Sequence, residues 1–207
     1  MDNQMSQDTK HKKLIETHTN NIKISDMNLK DKFTYFELSR LQESKTLLYE
    51  ITEKPKYFKR YGRGRIVKVR FGVNIGSEFS GDHFAIVVSK NDTAFNPVLH
   101  VIPISSKNHK SSINLGNVLI IDEEIEKLKE LYELETNKSK KRKIKECLKY
   151  YSNRDNISSY ALIEHMKTIS KLSIMPPINE YDYIKKIRIS DELMKEINEQ
   201  IKEEFIL

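Results

Sequence analysis

Histidine and cysteine are the residues of this 207-residue sequence best suited to proton transfer, nucleophilic attack or metal binding. The histidines are His11, His18, His83, His100, His109 and His165, and their spacing does not match that of a structural zinc site. The only cysteine, Cys147, falls in a highly charged segment. It has no internal disulfide partner, which is typical of a protein from the reducing cytoplasm. We therefore expect no structural zinc site.

Two short stretches bring groups capable of acid–base chemistry close together in the chain. His83 follows a glycine-rich loop, and Ser105 and Ser106 end an apolar run. Taken alone, His83 is equally well explained as an ordinary loop residue, and the two serines as residues that simply end a strand. Glu164 and His165 are neighbours in another apolar run, where strand alternation would point them to opposite faces. Only one of these two could then face a site, and His165 is equally well explained as a half-buried residue with satisfied hydrogen bonds.

The charge of the chain suits a partner that carries phosphate. The formal net charge is +6, and residues 138–149 contain seven basic side chains and one acidic one. This run is either a solvated helix face or a surface that follows RNA. No apolar stretch approaches the roughly 20 residues of a membrane span, and the polar first residues lack the apolar core of a signal sequence. The sequence therefore predicts no contact with a membrane.

Short strands are predicted through the middle of the chain and near its end. Alternating or continuous apolar residues favour strands at 66–71, 84–89, 98–104, 118–121, 160–166 and, briefly, 184–189. The glycines Gly72, Gly76 and Gly81 separate the first two of them. Several short strands of this kind predict a small barrel with helices added outside it.

Helices are predicted in three places around these strands. Apolar residues at three- and four-residue steps favour a helix over 28–52, which Pro55 ends. The charged segment 122–151 favours a helical hairpin or a broken helix, because polar residues 136–141 interrupt it. Ser190 can cap a last helix that carries Leu193 and Ile197. We accordingly predict a flexible leader at 1–25, a helical extension at 26–60, and a barrel domain at 61–207 with a helical insertion at 122–151.

Four motifs occur in the order found in one known family. Arg63-Gly64 precedes the strand IVKVRF, and a Gly-Ser-Glu loop at 76–78 leads to the strand AIVVS and then to Asn91-Asp92. The segments VIPISS (101–106), LIEHMKTISK (162–171) and KIRISDELMKEINEQI (186–201) follow. Together they resemble the MazF/PemK family of endoribonuclease toxins, over roughly residues 63–121 and 158–204. The leader, the 28–52 helix and the 122–151 insertion lie outside the resemblance.

The resemblance implies a fold, an activity and partners. The implied fold is α+β: a small SH3-like (MazF/PemK, CcdB-like) β-barrel, here with an N-terminal helix, an inserted helical segment and a C-terminal helix. The implied activity is sequence-preferring cleavage of single-stranded RNA without a metal or any other cofactor. It leaves a 2′,3′-cyclic phosphate and a 5′-hydroxyl. The implied partners are a cognate antitoxin protein and a second copy of the chain, with the RNA channel across the homodimer interface.

The resemblance also assigns the catalytic positions, and one of them departs from the family. Ser105 matches the family's Thr/Ser, and Glu164 matches its acid, but His83 stands where the family carries arginine. Arginine holds its charge and grips phosphate with a fixed fork, whereas histidine changes protonation within the physiological range. Either His83 takes over proton transfer while Lys167, Lys90 or Arg65 supplies charge, or the site is weakened and binds RNA or a protein partner without cutting.

The remaining predicted contacts with RNA follow from the same comparison. Phe84 replaces an expected proline and offers a ring on which a base could stack. The predicted RNA-binding residues are Arg65, Glu78, Phe84, Ser106, His165, Lys167 and Thr168. A third hypothesis makes the 28–52 and 122–151 helices the main functional parts, which dock a larger complex while the barrel serves as scaffold.

Overall fold

The computed structural model describes residues 7–27, 29–53 and 55–205. These residues form two compact units. The first contains the described residues up to 53 together with Gly72–Gly81, and the second contains Pro55–Phe71 and the described residues from Asp82 onward. In these ranges no helix is both long enough and apolar enough to cross a membrane.

The first unit contains two helices, α1 (Gln7–Asp26) and α2 (Phe36–Glu53), with a 3-10 turn at Asp31–Phe33 between them. We expected no regular structure at 1–25, of which residues 1–6 lie outside the described ranges. None of the described residues of α1 is buried. Because α1 has no buried apolar face, helical periodicity did not reveal it, and the helix depends on local propensity instead.

Helix α2 confirms the helix predicted at 28–52, but it begins later. Residue 28 lies outside the described ranges, and the helix itself starts at Phe36, its only described buried residue. The apolar side chains of the predicted face, such as Leu38 and Leu48, are 54% and 61% exposed.

The loop Gly72–Gly81 accepts hydrogen bonds from Lys32 of the 3-10 turn and from Arg40 of α2. The Nζ of Lys32 donates to the carbonyls of Asn74 and Gly76 at 2.8 and 2.6 Å. Arg40 donates from Nη2 to the carbonyl of Val73 at 2.9 Å. The loop therefore groups with the N-terminal helices, although its ends join two strands of the second unit.

Six antiparallel strands form the sheet of the second unit. They are β1 (Ile66–Arg70), β2 (Asp82–Val87), β3 (Val98–Ser105), β4 (Ser112–Gly116), β5 (Ser159–Leu162) and β6 (Lys167–Ser170). Their order is β1-β2-β3-β5-β4, and β6 pairs with β3. Among the described residues no pairing joins β4 to β1, so the structure is a mixed α and β fold with an open six-stranded sheet.

Three predicted strands differ from the structure. Residues 118–121 form a turn whose apolar side chains pack on the core. The strand in this part of the chain is instead β4, whose Ile113 and Leu115 are buried in the core. Residues 160–166 begin in β5 but turn into a 3-10 helix at Ile163–His165. Residues 184–189 contain a 3-10 helix and one isolated bridge between Arg188 and Arg65. In each case the short apolar segment is buried in the core, although it does not form the full strand that was predicted.

The predicted insertion is a pair of helices, α3 (Asp122–Leu134) and α4 (Lys138–Ser152). The break falls at Asn137, whose side chain accepts hydrogen bonds from the amides of Ser139 and Lys140 and so caps α4. Ile144 and Tyr151 of α4 are buried in one cluster with Ile86 and Ile102 of the sheet. This packing fixes the C-terminal end of α4 beside β2 and β3.

The last helix, α5 (Asp191–Phe205), begins where Ser190 predicted it. The hydroxyl of Ser190 accepts a hydrogen bond from the amide of Leu193 at 3.2 Å. Met194 and Ile197 of α5 are buried in the same cluster of the core.

A buried ion pair joins the turn after β2 to the end of β6. Lys171 Nζ lies 2.7 Å from Asp92 Oδ1, and the two side chains are 2% and 1% exposed. The other carboxylate oxygen accepts the amide of Tyr61 at 2.8 Å. Removal of one partner of such a pair costs about 3–5 kcal/mol, because the other charge is left buried alone. This gives Asp92, singled out in the sequence as part of Asn91-Asp92, a structural role.

Candidate active site

A cavity of about 440 Å³ lies where β2 begins and β3 ends. We call it the histidine cavity. It is lined by four residues that the sequence predicted for the site, His83, Phe84, Ser105 and Ser106. All of them belong to the second unit.

The pairing of β2 with β3 brings His83 and Ser105 to the same end of the two strands. Ala85 is paired with Pro103 in this antiparallel register, and the register ends at that pair. His83 and Ser105 each lie two residues beyond it, where Ser105 pairs with Tyr160 of β5. Both residues line the cavity, although they are more than 20 positions apart in the chain.

The hydroxyl of Ser105 is oriented by the chain that follows it. The amide of Lys107 donates to Ser105 Oγ at 3.0 Å. Since this bond uses the oxygen as an acceptor, the hydroxyl proton can be donated to a ligand in the cavity. Ser105 is half-buried, which keeps it accessible from the cavity.

Two cations that the sequence did not predict for the site also line the histidine cavity, Lys68 of β1 and Arg154. Both contact the ring of Tyr150: Lys68 Nζ lies 5.3 Å and Arg154 Cζ 3.8 Å from its centroid. Arg154 also donates from Nη1 to the carbonyl of Tyr150 at 2.6 Å. The aromatic ring therefore holds two positive charges at the lining of the cavity that His83 and Ser105 also line.

The position of Arg154 depends on how the end of α4 is anchored. The ring of Tyr151 stacks on that of Tyr183 at 3.9 Å, and its hydroxyl donates to Asp182 Oδ1 at 2.5 Å. Burial, followed by this hydrogen bond to Asp182, raises the pKa of Tyr151. The neutral hydroxyl is consequently a permanent donor, and Arg154 follows three residues later in the turn after the helix.

Phe84 is packed into the core and offers no open ring for stacking. It is 8% exposed, and the guanidinium of Arg154 lies 5.6 Å from its centroid. A base stacked on that face would have to displace Arg154. Ser106, in contrast, is exposed at the rim of the cavity.

Glu164 and His165 are placed differently from the expected alternation. They lie in the 3-10 helix Ile163–His165, and His165 Nε2 approaches Glu164 Oε1 to 3.7 Å. The side chains therefore meet instead of pointing to opposite faces, because a 3-10 turn does not alternate as a strand does. Neither residue lines the histidine cavity.

Lys167 and Thr168 lie in β6 and are paired with Val101 and His100 of β3. These partners are four and five residues from Ser105, or roughly 13–17 Å along an extended strand. Lys167 Nζ lies 5.9 Å from the ring centroid of Phe71. Like Glu164 and His165, neither residue lines the histidine cavity.

The last two predicted contacts lie elsewhere. Arg65 lines a second cavity of about 430 Å³ on the same unit, together with Lys59 and Lys185. Glu78 belongs to the first unit, where it is exposed in the loop Gly72–Gly81.

The described part of the chain adds neither a metal-binding cluster nor a reactive thiol to this chemistry. His, Cys, Asp and Glu side chains form no group of three or more there that could hold a metal ion. Cys147 is buried, and burial, followed by the charge of Asp182, raises its pKa to about 11. The reactive thiolate is therefore scarce near neutral pH.

A comparison with known families identifies the family of this chain. The model of the PemK-like, MazF-like toxin of type II toxin–antitoxin systems matches residues 62–205, more than two thirds of the chain. The chain belongs to this family. As a MazF-like toxin it carries α3 and α4 within the matched region, so Arg154 reaches the cavity from inside the family domain. The N-terminal helices α1 and α2 lie before the match. No curated protein matches the sequence.

Lys68 and Arg154 are the site residues that sequence reasoning missed. Lys68 lies within the strand motif IVKVRF, where nothing in the sequence marks it as a site residue, and the β1–β2 register places it opposite Phe84. Arg154 has no local signal, because it stands in a polar turn about 50 residues after Ser105. Only the packing of α4 against the sheet brings it to the cavity.

Proposed function

We propose that this MazF-like toxin is a metal-independent, sequence-preferring endoribonuclease that cuts single-stranded RNA. The products are a 2′,3′-cyclic phosphate and a 5′-hydroxyl. The observation that carries the proposal is the histidine cavity, whose lining includes His83, Ser105 and the two cations Lys68 and Arg154.

The chemistry requires only groups that these residues supply. The 2′-oxygen attacks the neighbouring phosphorus, and the bond from phosphorus to the 5′-oxygen breaks. His83 transfers the proton between the 2′-hydroxyl and the departing 5′-oxygen, a role that histidine performs well near neutral pH. The Ser105 hydroxyl donates to a non-bridging oxygen as negative charge develops there.

Positive charge in the cavity comes from Arg154, assisted by Lys68. The family's arginine both holds charge and grips phosphate, and His83 does not do so at every pH. Arg154 has a guanidinium held in place by Tyr150, so its charge is positioned before RNA binds. Preorganised charge of this kind is typically the largest single contribution to stabilising such a transition state.

Further features of the proposal follow from family membership. We expect an SH3-like barrel, a homodimer with its RNA channel across the subunit interface, and a cognate antitoxin that blocks this channel in the cytoplasm. Residues that remain proposed contacts, outside the histidine cavity, are Arg65, Glu78, Glu164, His165, Lys167 and Thr168.

The direct test is incubation of the purified chain with a long single-stranded RNA in EDTA. We expect cleavage to fragments that end in a 2′,3′-cyclic phosphate, identified by mass spectrometry. Intact RNA, or cleavage only after a divalent metal is added, contradicts the proposal.

Two substitutions link that cleavage to the cavity. Ser105→Ala and His83→Ala should each reduce kcat by roughly 100-fold or more, because they remove a donor to the transition state and the proton-transfer group. Ser111→Ala, a serine outside the cavity, is the matched control. Tight RNA binding by the wild type without any turnover favours the alternative, a weakened MazF-like module that binds RNA or a protein without cutting it.

A further inference from the structure

The second cavity of the strand unit is lined almost entirely by cations and apolar side chains. Its charged residues are Lys59, Arg60, Arg65, Lys68 and Lys185, and none of its described lining residues is acidic. We call it the lysine cavity. Its volume, about 430 Å³, is close to that of the histidine cavity.

Apolar residues form the opposite wall of the lysine cavity. Ile174, Met175, Pro176 and Pro177 line it, and the amide of Met175 donates to the carbonyl of Lys68 at 2.8 Å. Ile174 also forms an isolated bridge with Val69. The wall is thus hydrogen bonded directly to β1, and the two prolines restrict its backbone.

The cations of this cavity repel one another in the free protein. The pKa of Lys59 is lowered, first by burial and then by the charges of Lys185 and Arg65. The repulsion between these positive charges is not offset by any acidic side chain among the described lining residues, so a bound anion would relieve it. A cavity built in this way is suited to a ligand that carries several negative charges.

One residue connects the lysine cavity to the proposed site of cleavage. Lys68 lines both cavities, because it lies on β1 between Arg65 and the end that pairs with His83. A strand of RNA that leaves the histidine cavity past Lys68 would meet Arg65, Lys59 and Lys185 next. Tyr61 lines the same cavity, so an aromatic ring and apolar surface accompany the charge, as in known single-strand binding grooves.

We propose that the lysine cavity binds backbone phosphates of the single-stranded RNA on one side of the cleaved bond. The inference rests on the proposed ribonuclease function for the identity of the ligand. It keeps Arg65 as an RNA-binding residue, as the sequence predicted. It adds Lys59 and Lys185, which no motif in the sequence indicated. It also predicts that affinity depends on RNA beyond the nucleotides in the histidine cavity.

The test uses a probe that cannot be cut, a 20-nucleotide 2′-O-methyl RNA labelled with fluorescein. Binding is measured by anisotropy on the full chain and on Lys59→Gln/Lys185→Gln, two exposed side chains. The matched control is Lys129→Gln/Lys195→Gln, which removes the same charge outside both cavities. Lys59→Arg/Lys185→Arg keeps the charge and tests whether the glutamine pair acts through charge.

We expect the glutamine pair at 59 and 185 to weaken binding by about tenfold or more at 0.1 M salt, and the slope of log K against log salt to fall by about 1.4. The arginine pair should bind as the wild type does. Equal weakening in the control pair, no weakening at all, or no binding by the wild type would overturn the inference.

The outcome is separate from that of the proposed function. Since the probe has no 2′-hydroxyl, its binding does not depend on catalysis. If the chain binds RNA through Lys59 and Lys185 but never cuts it, only the proposed nuclease activity is contradicted. Cleavage by a chain whose binding ignores both lysines contradicts only the lysine cavity.

Discussion

The histidine cavity and the lysine cavity are similar in size and share Lys68, but they differ in the kinds of groups that line them. The first combines a titratable histidine and a serine hydroxyl with the positive charges of Arg154 and Lys68. The second presents five cations and apolar walls. Positive charge alone attracts phosphate, whereas cleavage also requires a proton to move during the reaction. The proposed cleavage of RNA therefore belongs to the histidine cavity, and the proposed binding of RNA without cleavage belongs to the lysine cavity. Lys68 of β1 lines both cavities.

Substitution of Arg154 should produce the largest effect that distinguishes the cavities. We expect Arg154→Ala to lower kcat by roughly 100-fold, because a preorganised donor to the transition state is lost. Binding of the uncuttable probe should change far less. Arg154→Lys should give an intermediate kcat, since lysine keeps the charge but not the fork.

Arg142→Ala is the control for Arg154→Ala, because Arg142 is an exposed arginine of α4, the helix that precedes Arg154. Thermal unfolding of each variant shows whether the fold is retained. Wild-type kcat in a folded Arg154→Ala variant would show that Arg154 does not contribute charge to the reaction.

Alkaline pH should produce a smaller effect, of a few-fold, that is specific to the lysine cavity. The lowered pKa of Lys59 means that this side chain loses its proton at a lower pH than an ordinary lysine does. Binding of a 2′-O-methyl adenylate probe, whose bases have no acidic proton in this range, should weaken as pH rises toward the usual lysine range near 10.4. Lys59→Arg should hold its affinity to higher pH. Identical curves for the two proteins would remove Lys59 from the binding site.

Sequence patterns predicted the elements whose residues follow a regular period. Strands β1, β2 and β3, the α3–α4 pair and the cap of α5 at Ser190 were all found near their predicted positions. They were predictable because alternation, helical spacing and capping are local properties of the chain. Strand β4 was missed, since Ser112–Gly116 is short and contains Asn114 and Gly116, which rarely favour strands.

The site was less predictable than the elements. His83 and Ser105 line one cavity because β2 and β3 are paired, a long-range contact that no local pattern reveals, and the family resemblance alone had connected the two. Arg154 depends on packing between residues far apart: the stack of Tyr151 on Tyr183 and the contact with Tyr150. The 3-10 turn at Glu164 similarly reflects tertiary packing, which overrode the expected strand.

The central claim is that Arg154 supplies the charge that His83 does not provide in place of the family's arginine. The most direct measurement is kcat for Arg154→Ala on one RNA in EDTA, with and without added guanidinium ion, which supplies the missing cation and leaves His83 in place. If the claim is right, guanidinium raises kcat of Arg154→Ala by roughly tenfold or more and does not raise that of His83→Ala. If guanidinium leaves kcat of Arg154→Ala unchanged, or raises that of both variants equally, the claim is wrong.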